Sequence, residues 1–193
     1  MPSHFILFTD IPGYTRLSRE PQALLSSILK PYKAAISTAV EQEGGQLVHC
    51  QADKSLSLYD AASKALSAAM AIRDAVREQA GILLRTGIHY GDIRFVDDEV
   101  IGESINTALR ICGVAIEGSV LISELVYDQV SGNVDFAFRR LGLFRLKHAP
   151  APLMLFSCGK TGMDLPGRDA FQADEQVSEN SIAVLPFRDL SPE

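Results

Sequence analysis

The sequence has no tryptophan, only three cysteines, and fewer basic than acidic residues. Its 18 Lys and Arg against 24 Asp and Glu give a formal net charge of −6. That balance argues against a general nucleic-acid-binding protein, which needs a basic face to neutralise phosphates. The cysteines, Cys50, Cys112 and Cys158, are widely spaced and form neither a zinc-binding pattern nor a disulfide framework. We therefore expect buried thiols in a reducing, cytoplasmic environment.

Long hydrophobic runs are missing as well. No apolar segment approaches the roughly 20 residues that a membrane-spanning helix needs. The start of the chain also lacks the basic leader and apolar core of a secretory signal. We expect no membrane partner and no nucleic acid. What remains is an ordinary globular composition, 47% hydrophobic and 22% charged over 193 residues, which is enough for one substantial domain.

The first part of the chain alternates between strand and helix patterns. Residues 4–9 are a nearly continuous apolar run, typical of a central strand. Apolar residues recur with a 3.6-residue period over 24–40, which predicts a helix that Pro31 should kink or divide. Residues 47–59 read as a β-hairpin around a polar break, its second strand buried on one face. Residues 61–80 are predicted as another long helix.

The remaining folded region continues in the same mixed order. We predict strands at 82–91 and 92–97 around a turn at Gly91 and Asp92, a helix at 101–115, a strand at 118–123, a short helix at 124–130, and final strands at 136–142, 143–147 and 152–158. This order predicts an α+β fold with a ferredoxin-like βααββαβ core and extra C-terminal strands.

The chain also divides along its length. We expect residues 1–159 to form one folded domain. Gly, Pro and scattered charges over 160–180 then predict a linker. From residue 181 an apolar stretch reads as a new strand, so residues 181–193 are expected to begin a further C-terminal domain of the same protein.

Two acidic residues fall where this order of elements can bring them together. Asp10 ends the first strand and Asp53 lies at the hairpin tip, so both carboxylates reach one edge of the sheet if the hairpin lies beside that strand. Mg²⁺ commonly takes one or two carboxylates, keeps waters, and completes its shell with substrate phosphates. Gly13 stands where a helix begins, and free N–H groups there can hold phosphate. The alternative is that Asp53 only turns the chain and Asp10 only caps a helix.

A second candidate pair lies in the predicted helix at 101–115. Asn106 and Arg110 are four residues apart and therefore share one helix face. An exposed arginine is most often simply solvated. Beside an amide that orients a ribose, however, its planar guanidinium can stabilise charge on phosphate oxygens. The pair therefore suits phosphoryl-transfer chemistry.

Four segments together resemble a known family. "LFTDIPGYTRLSRE", "GGQLVHCQADKSLSLY", "LLRTGIHYGDI" and "IGESINTALRI" follow, in order and spacing, the class III nucleotide cyclase domain. The resemblance covers roughly residues 4–157, and four motifs in register are far more specific than one. The tail "SIAVLPFRDLSPE" resembles the segment that follows this domain in bacterial multidomain cyclases with tetratricopeptide repeats.

The resemblance implies a role for each candidate residue. Asp10 and Asp53 match the family's two metal-binding aspartates, with the carbonyl of Ile11 as a further ligand. Asn106 matches the residue that orients the ribose, and Arg110 the one that stabilises the transition state at the α-phosphate. Two Mg²⁺ or Mn²⁺ ions per site are implied.

The resemblance also implies how substrate and subunits are arranged. Backbone amides of Gly13, Tyr14 and Thr15 meet the triphosphate, and Lys147 resembles a late basic residue near it. In this family the aspartates come from one subunit and the Asn/Arg pair from the other. The implied active unit is a head-to-tail homodimer with its sites at the interface. The implied reaction is attack of the ribose 3′-oxygen on the α-phosphate, which yields a cyclic nucleotide and pyrophosphate.

Four positions depart from the family's pattern. Ala52 stands where Gly usually precedes the second aspartate, and Ala strains a turn that needs positive φ. Lys54 stands where a small residue is usual, and its ammonium can pair with Asp53 or contact phosphate. At the positions that select the base, His49 replaces the usual Lys or Glu, and Glu99 the usual Asp or Thr. His can donate to a ring nitrogen and Glu can accept from an exocyclic amine. We expect ATP as the substrate, and GTP stays open.

We therefore predict a class III nucleotidyl cyclase that converts ATP to cyclic AMP and pyrophosphate by two-metal-ion catalysis in a homodimer. The main alternative is a degenerate cyclase-homology domain that binds nucleotide or dimerises as a regulatory module. A polymerase-like palm domain would need a Gly-Gly-acid-acid turn at the hairpin, where this chain has "CQADKS". An RNA-binding ferredoxin-like sheet would need an aromatic platform and basic charge.

Overall fold

The computed structural model describes residues 2–97 and 99–171. In these ranges the strands are β1 (Ser3–Asp10), β2 (Gln46–Gln51), β3 (Lys54–Tyr59), β4 (Arg85–Asp92), β5 (Arg94–Val96), β6 (Glu99–Ile101), β7 (Val120–Ser123), β8 (Phe136–Phe144) and β9 (Leu153–Lys160). The α-helices are α1 (Tyr14–Leu17), α2 (Gln22–Gln42), α3 (Ala62–Ala80), α4 (Glu103–Val114) and α5 (Glu124–Val130), and one 3-10 turn covers Arg168–Ala170. None of the helices in the described ranges combines the length and apolarity needed to cross a membrane. The predicted start of a further domain at 181–193 lies outside the described residues.

Seven strands form one mixed sheet in the order β2-β3-β1-β4-β7-β9-β8. Neighbours are antiparallel except β4 and β7, which are parallel and are connected through α4. The first four strands, with α2 and α3 as their crossovers, reproduce the ferredoxin-like arrangement. The predicted α+β class is therefore confirmed, with β7, β8 and β9 as the added C-terminal strands.

The central strand β1 is buried on both faces, as its continuous apolar pattern predicts. Phe5 and Leu7 pack in the cluster that α2 and α3 cover. Ile6 and Phe8 point to the opposite face, where they join a second cluster with α4. Alternate side chains of a strand face opposite sides of the sheet, so an apolar strand of this kind requires helices on both sides. The end of β1 is thereby held in the middle of the molecule.

Strand β3 is more deeply buried than its alternating sequence predicts. Leu56 and Leu58 face the α4 side, as expected, but Ser55 and Ser57 are also buried. The hydroxyl of Ser55 lies 2.7 Å from that of Thr9, and Ser57 donates to the hydroxyl of Tyr59 at 3.2 Å. Hydrogen bonding removes most of the cost of burying a hydroxyl. Serine in an alternating pattern therefore does not mark a solvent face here.

Helix α2 continues through Pro31, so of the two predicted effects, a kink or a division, the division is wrong. Proline removes one helical hydrogen bond and clashes with the preceding turn, at a cost of about 3 kcal/mol. The residues on both sides of it compensate, because Ile28, Tyr32 and Ile36 are all buried in the same core. Tertiary packing thus keeps the two halves of α2 in one helix.

The predicted turn at Gly91 and Asp92 is also wrong. β4 runs through both residues, and its pairing with β1 extends to Ser3 opposite Asp92. The segment after β4 pairs with β6 instead, in a separate two-stranded sheet. Because β1 is long enough to pair with all of β4, the chain turns only after Asp92. This places the β5–β6 hairpin immediately before α4.

Residues 136–144 form the single strand β8, where the sequence patterns predict two strands divided after Gly142. The pairing of β8 with β9 shifts register between Arg140 and Gly142, which marks a β-bulge. Gly142 has φ 95, a left-handed conformation that glycine adopts without steric cost. The apparent break in the pattern is therefore a bulge within one strand.

His89 on β4 gives a testable pH dependence of stability. It is buried, its Nδ1 lies 2.9 Å from Ser123 Oγ, and burial lowers the pKa of His89 from 6.5 to about 4. The unfolded chain takes up a proton near pH 6.5, whereas the folded chain does not until about pH 4. Stability contributed by the neutral ring is therefore complete above pH 7 and falls by about 3 kcal/mol between pH 6.5 and 4. Urea unfolding across this range measures the loss.

The variant His89→Gln keeps a hydrogen-bonding side chain but cannot titrate. We expect it to lose most of this pH dependence, whereas His49→Gln, at an exposed position, retains it. If the stability of His89→Gln declines with pH as steeply as that of the wild type, the buried ring is not the cause.

Candidate active site

The structure brings Asp10 and Asp53 to the same end of adjacent strands. Asp10 is the last residue of β1, and it lies opposite Lys54 in the register of β1 with β3. One residue further along, the Ile11 N–H donates to the carbonyl of Asp53 at 2.9 Å. The hairpin tip is thereby joined to the end of β1, and both carboxylates lie at one edge of the sheet.

Tyr32 provides a second anchor for the hairpin tip. Its side chain is fully buried in α2 and donates its hydroxyl to the Asp53 carbonyl at 3.1 Å. The same hydroxyl lies 2.9 Å from Thr9 Oγ1, which in turn lies 2.7 Å from Ser55 Oγ. Burial raises the pKa of Tyr32 far above its ordinary value, so its hydroxyl stays protonated and able to donate. The backbone at Asp53 is thus fixed from two directions.

Ala52 adopts the left-handed conformation at this tip, with φ 51. For a residue with a Cβ, that conformation costs roughly 1–2 kcal/mol. The position therefore favours glycine, in agreement with the strain expected for Ala beside the second aspartate. The turn still forms because Ile11 and Tyr32 both hold the next residue, Asp53.

Asp10 lies between two basic residues. It is buried, and Arg85 lies opposite it in the register of β1 with β4, as Lys54 does on the other side. Arg85 donates to Asp10 Oδ2 from Nε at 3.0 Å and also from Nη2. The sequence motifs do not single out Arg85 as a site residue, because its role depends on strand register. A buried carboxylate needs such a partner when no other cation is bound.

The oxygen atoms at this edge fit a magnesium-like ion. The available donors are the carboxylates of Asp10 and Asp53 and the backbone carbonyl of Ile11, which suit an ion that keeps waters and adds substrate phosphates. Both Arg85 bonds fall on Oδ2 of Asp10 and therefore leave Oδ1 to another ligand. Among the described residues, no group of three or more His, Cys, Asp or Glu side chains forms a metal cluster. Protein side chains alone thus supply only part of a coordination shell.

Gly13, Tyr14 and Thr15 follow the aspartate edge directly. Gly13 has φ 69 and precedes α1, and its carbonyl accepts the N–H groups of Arg16 at 2.9 Å and Leu17 at 3.2 Å. Helical hydrogen bonding begins with those two donors, so the N–H groups of residues 13–15 are not used within α1. A side chain built on Gly13 would meet nothing within 4 Å. The space on the Cβ side of Gly13 is therefore open.

Asn106 and Arg110 lie on α4, together with a third residue, Glu103. Glu103 accepts a hydrogen bond from Asn106 Nδ2 at 3.3 Å and one from Arg110 Nη1 at 2.5 Å. The spacing of three and seven residues puts all three on one helix face. Glu103 also lines a cavity of about 400 Å³ at the start of α4, together with Asp92, Arg94, Ile101, Gly102 and Ser104.

Close packing against β4 fixes the position of α4. A Cβ on Gly87 would lie 2.4 Å from the backbone N of Cys112 and 2.6 Å from the carbonyl of Ala108. No side chain fits in that space. The helix backbone therefore rests directly on the strand, and the Asn106–Arg110 face is carried on a rigid support.

The two candidate groups are not in contact within one chain. In the part of the chain that the structure describes, no hydrogen bond or ion pair joins the side chains of Asn106 and Arg110 to those of Asp10 and Asp53. Instead Arg110 pairs with Glu103, and Asp10 pairs with Arg85. Asp10 and Arg110 thus each have an oppositely charged partner in their own chain.

The remaining candidates lie on separate elements. His49 is exposed on the edge strand β2, opposite Leu56 and next to a register shift. Glu99 is exposed at the start of β6, opposite Val96. Lys147 is exposed in the turn after β8. Within residues 2–97 and 99–171, no hydrogen bond joins these three side chains.

Replacing Ala52 by glycine should stabilise the fold. Ala52→Gly removes the steric cost of the left-handed backbone, offset in part by glycine's greater freedom in the unfolded chain. We expect a gain of about 1 kcal/mol in the free energy of unfolding, measured by chemical denaturation. The matched control is Ala151→Gly, at an exposed alanine outside the left-handed region, which should gain nothing. A destabilised Ala52→Gly would show that the turn carries no such strain.

A scan of the chain against models of protein families finds no match. A relative from Rhizobium meliloti named "Putative adenylate cyclase 3" is 29% identical over 96% of this chain and 33% of its own length. The chain thus spans about a third of that curated relative's length.

Solved structures of named cyclases are also similar to this chain. The crystal structure of an adenylate/guanylate cyclase/hydrolase from Silicibacter pomeroyi matches with a TM-score of 0.72 and 29% identity, covering 81% of this chain and 95% of that one. The guanylate cyclase domain of RhGC from Catenaria anguillulae, solved in complex with GTP, matches with a TM-score of 0.71. It is 20% identical and covers 82% of this chain and 96% of that one, so it supports the fold alone. The resemblance indicated by the four motifs is therefore confirmed, and this chain resembles the class III adenylate/guanylate cyclase catalytic domains in sequence and in fold.

Proposed function

We propose that this chain is the catalytic domain of a nucleotidyl cyclase that converts ATP to cyclic AMP and pyrophosphate. The observation that carries the proposal is the junction of β1 with the β2–β3 hairpin, which holds Asp10 and Asp53 at one edge of the sheet. A helix face with Asn106 and Arg110 supplies the complementary phosphate-binding chemistry. These are the residue types that a phosphoryl-transfer site needs.

Each residue has a defined part in the proposed reaction. Asp10, Asp53 and the Ile11 carbonyl would hold two Mg²⁺ or Mn²⁺ ions, which activate the attacking oxygen and stabilise the leaving oxygen in two-metal sites. The ribose 3′-hydroxyl would give its proton to water and its oxygen would bond to the α-phosphorus, while the bond from that phosphorus to the α,β-bridging oxygen would break and pyrophosphate would leave with that oxygen. Asn106 orients the ribose, and Arg110 binds the charge that develops on the α-phosphate oxygens.

Three backbone N–H groups and one lysine would bind the triphosphate. The N–H groups of Gly13, Tyr14 and Thr15 are unused within α1, and they follow Asp10 closely in the chain, so they suit phosphate oxygens. Lys147 is an exposed cation in the turn after β8 and can contact the same phosphates.

Base recognition would depend on His49 and Glu99. His49 donates to a ring nitrogen, and Glu99 accepts from the exocyclic amine of adenine. A carboxylate can also accept from the guanine edge, and both adenylate and guanylate cyclases occur among the similar structures. ATP is therefore the proposed substrate, with GTP as the competitor to be measured against it.

The proposed active unit is a homodimer. Within one chain, Arg110 and Asp10 are each paired with other partners, and among the described residues no hydrogen bond or ion pair joins the two candidate groups. A second copy arranged head to tail would bring one chain's Asn106 and Arg110 to the other chain's aspartates. Two-fold symmetry then forms two equivalent sites.

We also propose that the cyclase domain is one part of a longer protein. Residues 1–159 correspond to the cyclase-homology domain and 160–180 to a linker. The segment after β9 is held against the sheet. Ser157 of β9 donates to the Pro166 carbonyl at 3.1 Å, and Arg168 donates to the Leu141 carbonyl of β8 at 2.8 Å. A further C-terminal domain would therefore connect through a segment that starts on the sheet.

A regulatory module is the second candidate function. Two observations favour it: Ala52 occupies a left-handed backbone position, and Arg85 neutralises Asp10. Such a domain would bind nucleotide or dimerise without turnover. It predicts a stable dimer that binds ATP and yields no cyclic product, even after Ala52→Gly and His49→Lys restore the family's residues.

Cyclic-nucleotide formation tests the proposal directly. Purified protein is incubated with ATP or GTP in Mg²⁺ or Mn²⁺, and the products are measured by mass spectrometry. We expect cyclic AMP from the wild type and a loss of at least about 100-fold in Asp53→Ala and Arg110→Ala, because each removes a group acting on transferring phosphate. The controls Asp128→Ala and Arg77→Ala alter exposed residues of α5 and α3, helices that carry none of the proposed site residues, and should keep full activity. Cyclic product that survives in Asp53→Ala would contradict the assigned role.

Mixing the two inactive variants tests the dimer. A dimer with one Asp53→Ala chain and one Arg110→Ala chain carries both defects in one site and none in the other. Equal mixing makes about half of the dimers of this kind, so we expect about a quarter of wild-type activity. If mixing restores no activity while the variants exchange subunits, both groups act within one chain.

A further inference from the structure

Glu103 accepts a side-chain hydrogen bond from each of the two residues assigned to transition-state chemistry, Asn106 and Arg110. Its Oε2 accepts from Asn106 Nδ2 at 3.3 Å, and its Oε1 accepts from Arg110 Nη1 at 2.5 Å. These two bonds use different oxygens of one carboxylate. Their donors come from the next two turns of α4, so all three side chains lie in a row on one face.

The contact with Glu103 determines how the Asn106 amide faces. An ionised carboxylate can only accept hydrogen bonds. The NH₂ of Asn106 must therefore point towards Glu103, which leaves the amide oxygen on the opposite side. That oxygen is an acceptor suited to a hydroxyl donor such as a ribose. With glutamine at 103, a side-chain amide could donate as well as accept, and the Asn106 amide could face either way.

The contact restricts Arg110 in a similar way. A free arginine side chain has many rotamers, and ordering one costs up to about 2 kcal/mol. Glu103 occupies Nη1 and leaves Nε and Nη2 for a second acceptor. The side chain of Arg110 is 21% exposed and that of Glu103 61%. The guanidinium is therefore held close to the helix, while its free edge stays accessible.

Glu103 is also the first residue of α4, and it lines the cavity of about 400 Å³. Bonds from Arg110 and Asn106 hold the pKa of the Glu103 carboxyl below its ordinary value, so the group is ionised at neutral pH. An acid in the first turn also stabilises a helix through the helix dipole. That effect alone would need no particular partner, whereas Glu103 is bonded to both candidate residues.

We propose that Glu103 is a positioning residue that holds Asn106 and Arg110 in the orientation required for attack on the α-phosphate. This inference rests on the proposed cyclase function and concerns a residue to which the motifs assign no role. Glu103 orients the amide oxygen of Asn106 towards the ribose. It also keeps the Nε–Nη2 edge of Arg110 free for phosphate oxygens.

The kinetic test uses substitutions that separate charge, length and helix stability. We expect Glu103→Gln to lower kcat about 10-fold and to change the KM for ATP less than 3-fold, since binding of the triphosphate uses other groups. Glu103→Asp, which keeps the charge, should recover part of the lost kcat. The matched control is Glu124→Gln, which removes the first-turn acid of α5 and should leave kcat unchanged. An unchanged or increased kcat in Glu103→Gln overturns the proposal, because the contact is then neutral or inhibitory.

A second measurement tests the contact between Glu103 and Arg110 without depending on cyclase activity. Side-chain ¹⁵N NMR of Arg110 in the wild type should show a restrained guanidinium, with slow rotation about its terminal bonds. In Glu103→Gln that restraint should be lost, and in Glu124→Gln it should remain. If the wild type forms no cyclic nucleotide but the Arg110 signals behave this way, the cyclase proposal fails and the positioning contact stands. Arg110 signals that do not change in Glu103→Gln refute the positioning role itself.

Discussion

The carbonyl oxygen of Asp53 is the point on which the candidate site depends. It accepts the N–H of Ile11 at 2.9 Å and the hydroxyl of Tyr32 at 3.1 Å, so both of its lone pairs are used. These bonds join the hairpin tip, the end of β1 and the middle of α2 at one atom. The backbone of Asp53 is thereby fixed while its carboxylate stays half-buried and accessible. A ligand-binding carboxylate on a fixed backbone is what a preorganised site requires.

Each of the two groups of candidate site residues contains one ion pair formed within the chain. Asp10 is bonded to Arg85 and lies opposite Lys54, while Arg110 is bonded to Glu103. A cation carrying a polyphosphate offers both signs of charge at once. Such a ligand can place its cation on Asp10 and its phosphates on Arg85 and on the Nε–Nη2 edge of Arg110, while the contact of Arg110 with Glu103 stays in place. The candidate site is therefore matched to a ligand that carries a cation and anionic phosphates together.

Much of the fold follows from local patterns in the sequence. The apolar run of β1 predicts a strand covered on both faces, and the helix at Glu124–Val130 is found with its predicted bounds. The patterns fail where distant partners decide the structure. Gly91 reads as a turn residue but pairs with His4 in the sheet, and Gly142 reads as a break but forms a bulge within β8. Strand register and tertiary packing are not encoded in a short window of residues.

The candidate site also contains residues that local sequence predicts and residues that it does not. Asp10, Asp53, Asn106 and Arg110 are recognisable from motif spacing, because each motif is local. Arg85 is not, since its contact with Asp10 follows from the pairing of β1 with β4. Glu103 is an intermediate case: its spacing of three and seven residues from Asn106 and Arg110 places all three on one face. That signal is present in the sequence, but it only has meaning once the helix is known to begin at Glu103.

The contact between Gly87 and α4 has a consequence for how sequences with this fold can vary. The helix backbone occupies the space of any side chain at position 87, at 2.4 Å from Cys112 N. Even the smallest substitution there would have to displace a whole helix, and with it every residue on its outer face. The solvent side of α4 carries no such restriction. Divergent sequences can therefore vary the exposed residues of α4 that lie outside the face of Glu103, Asn106 and Arg110, whereas the hydrogen atom that replaces a side chain at position 87 keeps that face at a constant distance from the sheet.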